Sequence, residues 1–504
     1  MANQVGTATR LFDLFDKIVD FLTTDSALVA AGQEWEVLRI RRDNLAEVTT
    51  NLTEPTDASY RKIIQCCRYD PRSLNTDSVT TDYLCNFYGT GYVAGTSFAR
   101  FKLKTAKAIA TVRMRAPRSA HLSHMVHNFR LQHSDDGTTW TDALTVTGSA
   151  AYNSGEWRDH AVTGAAAHLY WRIVIDSTES VSTLVAWESL LLLTSDGTVA
   201  NHFGSEVIFK APGNAGTESI YTGIRAEYDA ANGWYNLFMN GYTGFDPGTT
   251  SWFEHPGALP GADAAIPCVV PMVPCWDTTM PYWFSASGRS FRFAVKVSTS
   301  YEGGYLGFYL PYATPSQFPY PLAVGGSLVP QSANRSNQWR YSYASYMHGV
   351  FPGPGCDNIP NGEGRHSTLY TRTPAGVWAY HANRPGPSSD NESVYGPITS
   401  ANGGYDQLDS GAIRSVWPHC VNNQWNEGKL PYRECLGGGY MIQPCVLLQR
   451  SPTTDVFGEL EGVYSISGYE NAAENTAIIG GKTHVTFQNA YRTSVHEYWA
   501  LSLD

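Results

Sequence analysis

The sequence has 504 residues, which exceeds the size of one ordinary hydrophobic core and indicates about three packed units. Only 16% of the residues are charged whereas 13% are aromatic, a balance that suits strands, subunit interfaces and sugar-facing surfaces. The formal net charge is −11, so the chain as a whole lacks the basic surface of a nucleic-acid binder and no nucleic-acid partner is expected.

The first thirty residues do not have the pattern of a secretion signal. The apolar run that a signal peptide needs is interrupted by acidic residues, at Asp13, Asp16, Asp20 and Asp25. No window of the sequence approaches the roughly twenty uncharged apolar residues of a membrane span. We therefore expect synthesis in a cytoplasm and no membrane insertion.

The chain opens with helical periodicity. Apolar residues recur at steps of three and four and predict one amphipathic helix: Leu11, Leu14, Phe15, Ile18, Val19 and Leu22. A second short helix is expected to end at Gly32, and residues 35–40 alternate as a strand does. Beyond this point 46 Gly and 27 Pro punctuate short β-rich runs. The sequence thus predicts a mainly β, multi-domain chain of β-sandwich or jelly-roll architecture with a short helical N-terminal segment.

The region from about 80 to 195 has a self-contained β pattern, with strands expected at 109–115, 128–132, 142–146, 169–175 and 187–193. "FRLQHSDDGTTWTDAL" (129–144), "SGEWRDHAV" (154–162) and "LYWRIVI" (169–175) resemble the discoidin-type, galactose-binding-like sandwich. That resemblance implies a hairpin turn at Asp136–Gly137, which is also a strong turn signal by itself. It further implies that Trp140 and Trp171 are buried.

Segments on both sides of this region resemble a family of tailed-phage virion proteins, often encoded among tail and baseplate components. The resemblance is carried by residues 21–39, 205–225, 280–327 and 487–504, of which "MPYWFSASGRSFRFAVKVSTSYEGGYLGFYLPYATPSQFPYPLAVGGS" is the longest block. Residues 51–200 therefore form a predicted insertion into a host domain made of 1–50 and 201–327. Residues 328–504 are expected to be a loop-rich C-terminal β domain.

A proline-rich tract follows a predicted hairpin, whose strands 291–297 and 305–310 are expected to be joined by a turn at Gly303–Gly304. Prolines between 311 and 321 exclude a central strand and favour a stiff, extended segment. Tyr312, Phe318 and Tyr320 lie between these prolines and are candidate interface residues. The tract is interpreted either as a cover on its own domain or as an arm on a neighbouring subunit.

No catalytic signature is present, so no enzymatic activity and no cofactor are expected. Gly-x-Ser-x-Gly and phosphate-binding loops are absent, and His496-Glu497 lacks the second histidine of a zinc helix. His121, His124 and His127 do not share one face of a strand, so surface or turn histidines are expected there and no metal. The nine cysteines form no paired pattern, and most, including Cys268 and Cys275, are expected to be buried thiols.

Sugar binding fits the predicted sandwich, because loops at one end of a jelly roll can stack on and hydrogen-bond a hexose. The candidate residues are Asn153, Trp157, Arg158 and His160. The alternative for this domain is a spacer or intersubunit glue.

The leading hypothesis is a structural component of a tailed-phage virion, in its tail, baseplate or neck. It would be made in the host cytoplasm, assemble as a symmetric homo-oligomer, and contact other tail, baseplate or neck proteins. The alternative is a receptor-binding protein for host-surface glycans. A glycan-cleaving enzyme is the third hypothesis, because the separation of two carboxylates is a tertiary property.

Overall fold

The computed structural model describes residues 1–52, 87–117, 119–180, 184–187, 189–229, 234–249, 252, 255–259, 271–314, 316–326, 369–376, 378–381, 414–417, 439–449, 455–488 and 498–504. Antiparallel sheets dominate this part of the chain, and its α-helices lie near the N-terminus. The predicted mainly β class with a short helical N-terminal segment is confirmed. None of the helices in these ranges is long and apolar enough to cross a membrane.

The N-terminal elements are β1 (Ala2–Ala8), α1 (Leu11–Thr24), α2 (Ser26–Ala31) and β2 (Glu36–Arg41). The apolar side chains of α1 are buried along one face, which confirms the helix predicted from their spacing. The carboxylate of Asp25 caps α2 by accepting hydrogen bonds from the N–H groups of Ala27 (2.9 Å) and Leu28 (3.3 Å). Gly32 ends α2 with a φ of 62°, in the left-handed conformation that favours glycine.

The remaining strands follow in chain order. The middle of the chain contains β3 (Leu45–Thr50), β4 (Phe87–Thr90), β5 (Phe98–Ala108), β6 (Thr111–Arg115), β7 (Val126–Ser134), β8 (Thr141–Val146), β9 (Trp157–Ala161), β10 (Ala167–Thr178), β11 (Leu184–Trp187) and β12 (Ser189–Leu193). The last part contains β13 (Ser205–Ala211), β14 (Ile220–Asp229), β15 (Trp234–Tyr242), β16 (Met272–Cys275), β17 (Met280–Ala286), β18 (Ser290–Val297), β19 (Ser300–Phe308), β20 (Leu310–Pro311), β21 (Leu322–Gly326), β22 (Leu369–Arg372), β23 (Trp378–His381), β24 (Arg414–Trp417), β25 (Ile442–Gln449), β26 (Asp455–Ile466), β27 (Thr476–Ile479), β28 (Lys482–Gln488) and β29 (Tyr498–Ser502).

The chain divides into two compact units. The first comprises Met1–Ile40 and Glu206–Asp504, and the second comprises Arg41–Ser205. The two ends of the second unit lie together, because the N–H groups of Asn44 and Leu45 donate to the carbonyl of His202 at 2.9 and 3.0 Å. The sequence places its insertion at 51–200, whereas the compact unit begins ten residues earlier because β3 pairs with β5 inside it.

The second unit is built from a five-stranded sheet, in the order β3-β5-β10-β7-β8, and a three-stranded sheet, in the order β12-β6-β9. A separate pair joins β11 and β4. Apolar residues of both sheets form one core cluster, which includes Phe101, Val112, Phe129 and Trp171. Trp171 is 0% exposed, as predicted, but Trp140 is only half-buried, so its predicted burial is wrong.

The first unit has a seven-stranded sheet, in the order β1-β17-β18-β19-β21-β22-β23, with a core cluster on each face. Alternate residues of β18 belong to the two clusters on opposite faces. Phe291 and Phe293 pack with α1 and with β13 to β15, whereas Ala294 packs with β25, β26, β28 and β29. The other sheets run β16-β15-β14-β13-β2 and β24-β25-β26-β29-β28-β27, with β20 paired to β26. Because β22 and β23 extend the sheet of β21, these two strands join the sheet of the predicted host core.

The predicted hairpin of 291–297 and 305–310 corresponds to β18 and β19, which pair in the antiparallel direction. Its turn is at Ser298, where φ is 58°, and not at Gly303–Gly304 as the sequence suggested. Gly304 pairs with Phe293 inside the sheet, where a β-carbon would overlap the Phe293 ring. Gly304 therefore makes room for an aromatic side chain.

The proline-rich tract packs on its own unit, as the first of its two interpretations expects. Phe318 is 2% exposed and belongs to a core cluster, so it is not available as a surface anchor. The Tyr320 hydroxyl donates to the carbonyl of Ser219 at 3.2 Å. Tyr312 is 56% exposed, and its hydroxyl donates to Glu459 at 2.7 Å. An assembly role for Tyr312 stays a prediction.

Two of the nine cysteines lie in the part of the chain that the structure describes. Cys275 and Cys445 are buried free thiols, and burial raises the pKa of both. Both are therefore inert thiols of the kind expected. Cys268, the other member of the predicted pair, lies outside the described residues.

Candidate functional site

Three of the four predicted sugar-binding residues lie in one polar network around Tyr152, in the loop between β8 and β9. The Arg158 guanidinium lies 3.8 Å from the centroid of the Tyr152 ring. It donates to the carbonyls of Ala150 (2.6 Å) and Ala151 (3.2 Å) and to the carboxylate of Glu156 (2.6 Å). Its donors are thus largely engaged in holding this loop, which argues for a structural role.

His160 belongs to the same network. One ring nitrogen lies 3.1 Å from the Tyr152 hydroxyl, and the imidazole packs edge-on against Phe129. Burial lowers the pKa of His160, and burial raises the pKa of Tyr152 to about 12. Both groups are therefore neutral at physiological pH, as fits a packed pair.

Asn153 and Trp157 differ in their surroundings. Asn153 is exposed, and its side-chain amide donates to Glu156 at 3.1 Å. Trp157 lies on the outer face of the three-stranded sheet, against the cluster of Leu191, Leu193 and Val199. The centroid of its ring is 5.3 Å from the Arg115 guanidinium. The structure does not bring Trp157 together with the other predicted residues, and their role in binding stays a prediction.

Across the five-stranded sheet runs a polar row that sequence reasoning missed. The strand registers align one residue from each strand, in the order Asp142, Gln132, Arg172, Arg100 and Thr49. The neighbours of these residues on the central strands point into the core, so the row faces away from it. We call this surface, with Trp140 and Phe98 beside the row, the sheet face.

The side chains of the sheet face hold one another in fixed positions. The amide of Gln132 donates to Asp142 at 2.5 Å, and the Gln132 carbonyl accepts a hydrogen bond from Nε of Arg172 at 2.6 Å. The Arg172 guanidinium lies 4.1 Å from the centroid of the Trp140 ring and 5.6 Å from that of Phe98. These contacts therefore hold the Arg172 side chain in position before any ligand arrives.

The turn between β7 and β8 positions Trp140. The Asp136 carboxylate accepts hydrogen bonds from the N–H groups of Thr138 and Thr139, both at 2.7 Å, and these bonds lower the pKa of Asp136. Gly137 has a φ of 74°, and a β-carbon there would press on the ring of Tyr170. The turn implied by the sandwich resemblance is thus present, and its Trp140 lies at the sheet face instead of in the core.

A histidine pair lies beside this turn. His133 and His168 stack with ring centroids 3.8 Å apart, and His168 lies 2.7 Å from the Asp135 carboxylate. The Trp171 indole N–H donates to the carbonyl of His168 at 3.1 Å. Burial and the neighbouring His168 lower the pKa of His133, while Asp135 opposes this shift. Protonation of His133 is therefore unfavourable in the folded chain.

We expect this pair to make the second unit less stable in mild acid. Because the pKa of His133 is lower in the folded chain, the unfolded chain binds more protons as the pH falls below about 6.5, and folding stability decreases with it. Urea unfolding at pH 7, 6 and 5, followed by tryptophan fluorescence, should show that the free energy of unfolding falls more steeply as the pH decreases in the wild type than in His133→Gln. An equal dependence of the free energy of unfolding on pH in both chains would contradict this expectation.

None of the residues that the structure describes form a group of three His, Cys, Asp or Glu side chains placed to hold a metal ion. The side chain of His121, one of the three histidines considered from the sequence, lies outside the described residues. His127 instead lies 3.1 Å from the carboxylate of Glu179.

No protein-family model matches the chain, and no curated protein matches it. Among solved structures it is similar to a carbohydrate-binding module, CBM32-1, of a family 31 glycoside hydrolase from Clostridium perfringens, with 13% identity over 30% of this chain and 95% of that chain (TM-score 0.21). It is also similar to the family 32 module of NanJ from C. perfringens in complex with galactose, with 9% identity over 29% and 90% of the two chains (TM-score 0.20).

A third similar structure is the family 32 carbohydrate-binding module of EndoD from Streptococcus pneumoniae, with 15% identity over 30% of this chain and 100% of that chain (TM-score 0.20). The comparisons give no support to the resemblance with tailed-phage virion proteins, and that interpretation stays a prediction.

Proposed function

We propose that the second unit is a carbohydrate-binding module without catalytic activity. The observation that carries this proposal is the sheet face, where an indole ring and three planar polar groups meet, from Trp140, Arg172, Gln132 and Asp142. Sugars are recognised by aromatic rings that pack on their C–H faces and by fixed donors and acceptors that pair with their hydroxyl groups.

The position of these groups on strands supports the proposal. Side chains on a sheet are placed more precisely than side chains on loops, and a site formed before binding loses less conformational entropy when the ligand arrives. Arg172 is held by two rings and by one hydrogen bond, and Gln132 is held by Asp142. The sheet face is therefore organised for binding in the free protein.

The carboxylates of the sheet face favour binding over cleavage. Asp142 accepts a hydrogen bond from Gln132, Asp176 is paired with Arg130 at 3.1 Å, and Glu47 lies 3.7 Å from Arg100. A glycoside-cleaving site needs two carboxyl groups free to face the glycosidic bond as acid and base or nucleophile. Each carboxylate here is already engaged by a neighbouring side chain.

We further propose that the first unit is the structural part of a tailed-phage particle component. This component presents the carbohydrate-binding module to glycans on the host surface. This proposal is supported by one core cluster, to which three of the segments that resemble virion proteins contribute residues: 21–39, 205–225 and 280–327. On this proposal the chain assembles as a symmetric homo-oligomer in a tail, baseplate or neck. Light scattering of the purified chain would show a closed oligomer, and a monomer at every concentration would contradict it.

The binding proposal predicts retention of the full chain on a glycan array. A variant that lacks residues 41–205, with Ile40 joined to Glu206 by a short Gly-Ser linker, should lose that retention while keeping its β-rich circular dichroism spectrum. Equal retention of the folded deletion variant would assign binding to the first unit. The release of shortened sugars by the intact chain would contradict the proposed lack of catalysis.

A further inference from the structure

The sheet face gathers positive charge at its centre. Arg172 and Arg100 lie directly opposite each other on β10 and β5, and Arg130 lies two residues from Gln132 on β7. Like charges opposite each other in a ladder reduce the stability of a sheet. Fold stability therefore does not account for this arrangement.

Two of the three arginines have a carboxylate partner. Arg130 is paired with Asp176 at 3.1 Å, and Arg100 lies 3.7 Å from Glu47. Arg172 has no such partner among the residues that the structure describes, and its one hydrogen bond there goes from Nε to the neutral amide of Gln132. The Nη1 and Nη2 edge of its guanidinium is left for a ligand.

The environment of Arg172 agrees with a site for an anion. Burial lowers the pKa of Arg172, and the charges of Arg130 and Arg100 lower it further, while the charge of Asp142 opposes this shift without offsetting it. A carboxylate bound at this point would relieve the repulsion among the three guanidinium groups. The Trp140 ring and the Gln132 carbonyl together hold the guanidinium in place, with its Nε edge turned to Gln132.

We propose that Arg172 binds the carboxylate of an acidic saccharide, such as a uronic acid or a sialic acid residue. This inference rests on the proposed glycan-binding function and names the class of sugar. A guanidinium edge matches a carboxylate through two parallel hydrogen bonds. Asp142, on the other side of Gln132, uses Oδ1 for its bond with Gln132, and its other carboxylate oxygen accepts a hydrogen bond from a hydroxyl group of the same sugar.

The acidic side chains of the face limit the kind of anion. Glu47, Asp142 and Asp176 lie around the arginines and would repel a ligand with a charge at every unit, such as a nucleic acid. A single carboxylate surrounded by hydroxyl groups avoids this repulsion. The pattern of charge therefore favours a saccharide over a polyanion.

The test compares each acidic sugar with its own neutral ester. Oligosaccharides that contain galacturonate, glucuronate or sialic acid are titrated into the full chain by calorimetry, alongside their methyl esters. We expect at least one acid to bind about tenfold or more tightly than its ester, because hydrogen bonds between charged groups exceed neutral ones by about that factor. Arg172→Gln should abolish the difference, and Arg172→Lys should retain only part of it.

The matched control is Arg113→Gln, which removes an arginine from the outer face of the three-stranded sheet, where it pairs with Asp159 at 2.7 Å. This variant should keep the preference for the acid. A preference that survives Arg172→Gln in a chain with an unchanged circular dichroism spectrum would overturn the proposal, as would tighter binding of a sulfated neutral glycan or of single-stranded DNA. Retention of neutral glycans alone would overturn it and leave the proposed function intact, whereas retention of no glycan would overturn both.

Discussion

Glu461→Ala is expected to lower the free energy of unfolding of the first unit by about 3–5 kcal/mol, the usual range for leaving a buried charge without its partner. Arg292 on β18 is 0% exposed, and its Nη1 lies 3.4 Å from the Glu461 carboxylate. The same carboxylate accepts a hydrogen bond from the hydroxyl of Ser287 at 2.8 Å. Urea unfolding followed by circular dichroism measures the loss.

Strand β18 also supplies the control for this variant. Lys296 is paired with Glu474 at 2.5 Å but is partly exposed, so Lys296→Ala should cost about 1 kcal/mol or less. Glu461→Gln, which keeps an acceptor for Ser287, should fall between the two. Equal losses for Glu461→Ala and Lys296→Ala would show that the position of the Arg292 charge inside the unit does not matter.

Trp171→Ala is expected to destabilise the second unit by about 3–5 kcal/mol, the usual cost of deleting a large core aromatic. The Trp171 ring is 0% exposed and packs in the core cluster with Phe101 and Ile173. Its removal also leaves the carbonyl of His168 without the indole N–H donor at 3.1 Å. Urea unfolding followed by the fluorescence of the remaining tryptophans measures the change.

Trp140→Ala is the comparison, because its ring is half-buried at the sheet face. We expect a clearly smaller loss of stability than for Trp171→Ala, since Trp140 gives up a cation–π contact with Arg172 and only part of its buried area. If the two variants were equally destabilised, Trp140 would be a core residue, as the sequence predicted.

Local patterns in the sequence predicted the elements that depend on neighbouring residues. The spacing of apolar residues in α1 and the alternation of β18 are properties of short segments, and both elements appear where they were expected. The Gly-Gly pair predicts the turn of the β18–β19 hairpin at Gly303–Gly304, whereas the turn lies at Ser298. Only the fold reveals that Phe293 packs over Gly304.

The sheet face could be predicted only in part. Alternation along β10 shows that Trp171 and Arg172 point to opposite faces, and the same period is visible around Gln132 on β7. The sequence gives no register between strands that are distant along the chain, so it cannot align Gln132 and Arg100 with Arg172. For the same reason the sequence cannot show that Leu45 of β3 pairs with Leu103 of β5, the contact that extends the second unit before residue 51.

We propose that glycans bind at the sheet face and not at the outer face of the three-stranded sheet. Two tryptophans make a matched pair for this test, because Trp140 lies 4.1 Å from Arg172 on the first face and Trp157 lies 5.3 Å from Arg115 on the second. The most direct measurement is the dissociation constant of a glycan retained by the full chain, determined for Trp140→Ala and Trp157→Ala. We expect a loss of affinity of about tenfold or more for Trp140→Ala, as for the removal of a stacked aromatic, and an unchanged dissociation constant for Trp157→Ala. The reverse result would contradict it and would place binding at the residues favoured by the sequence.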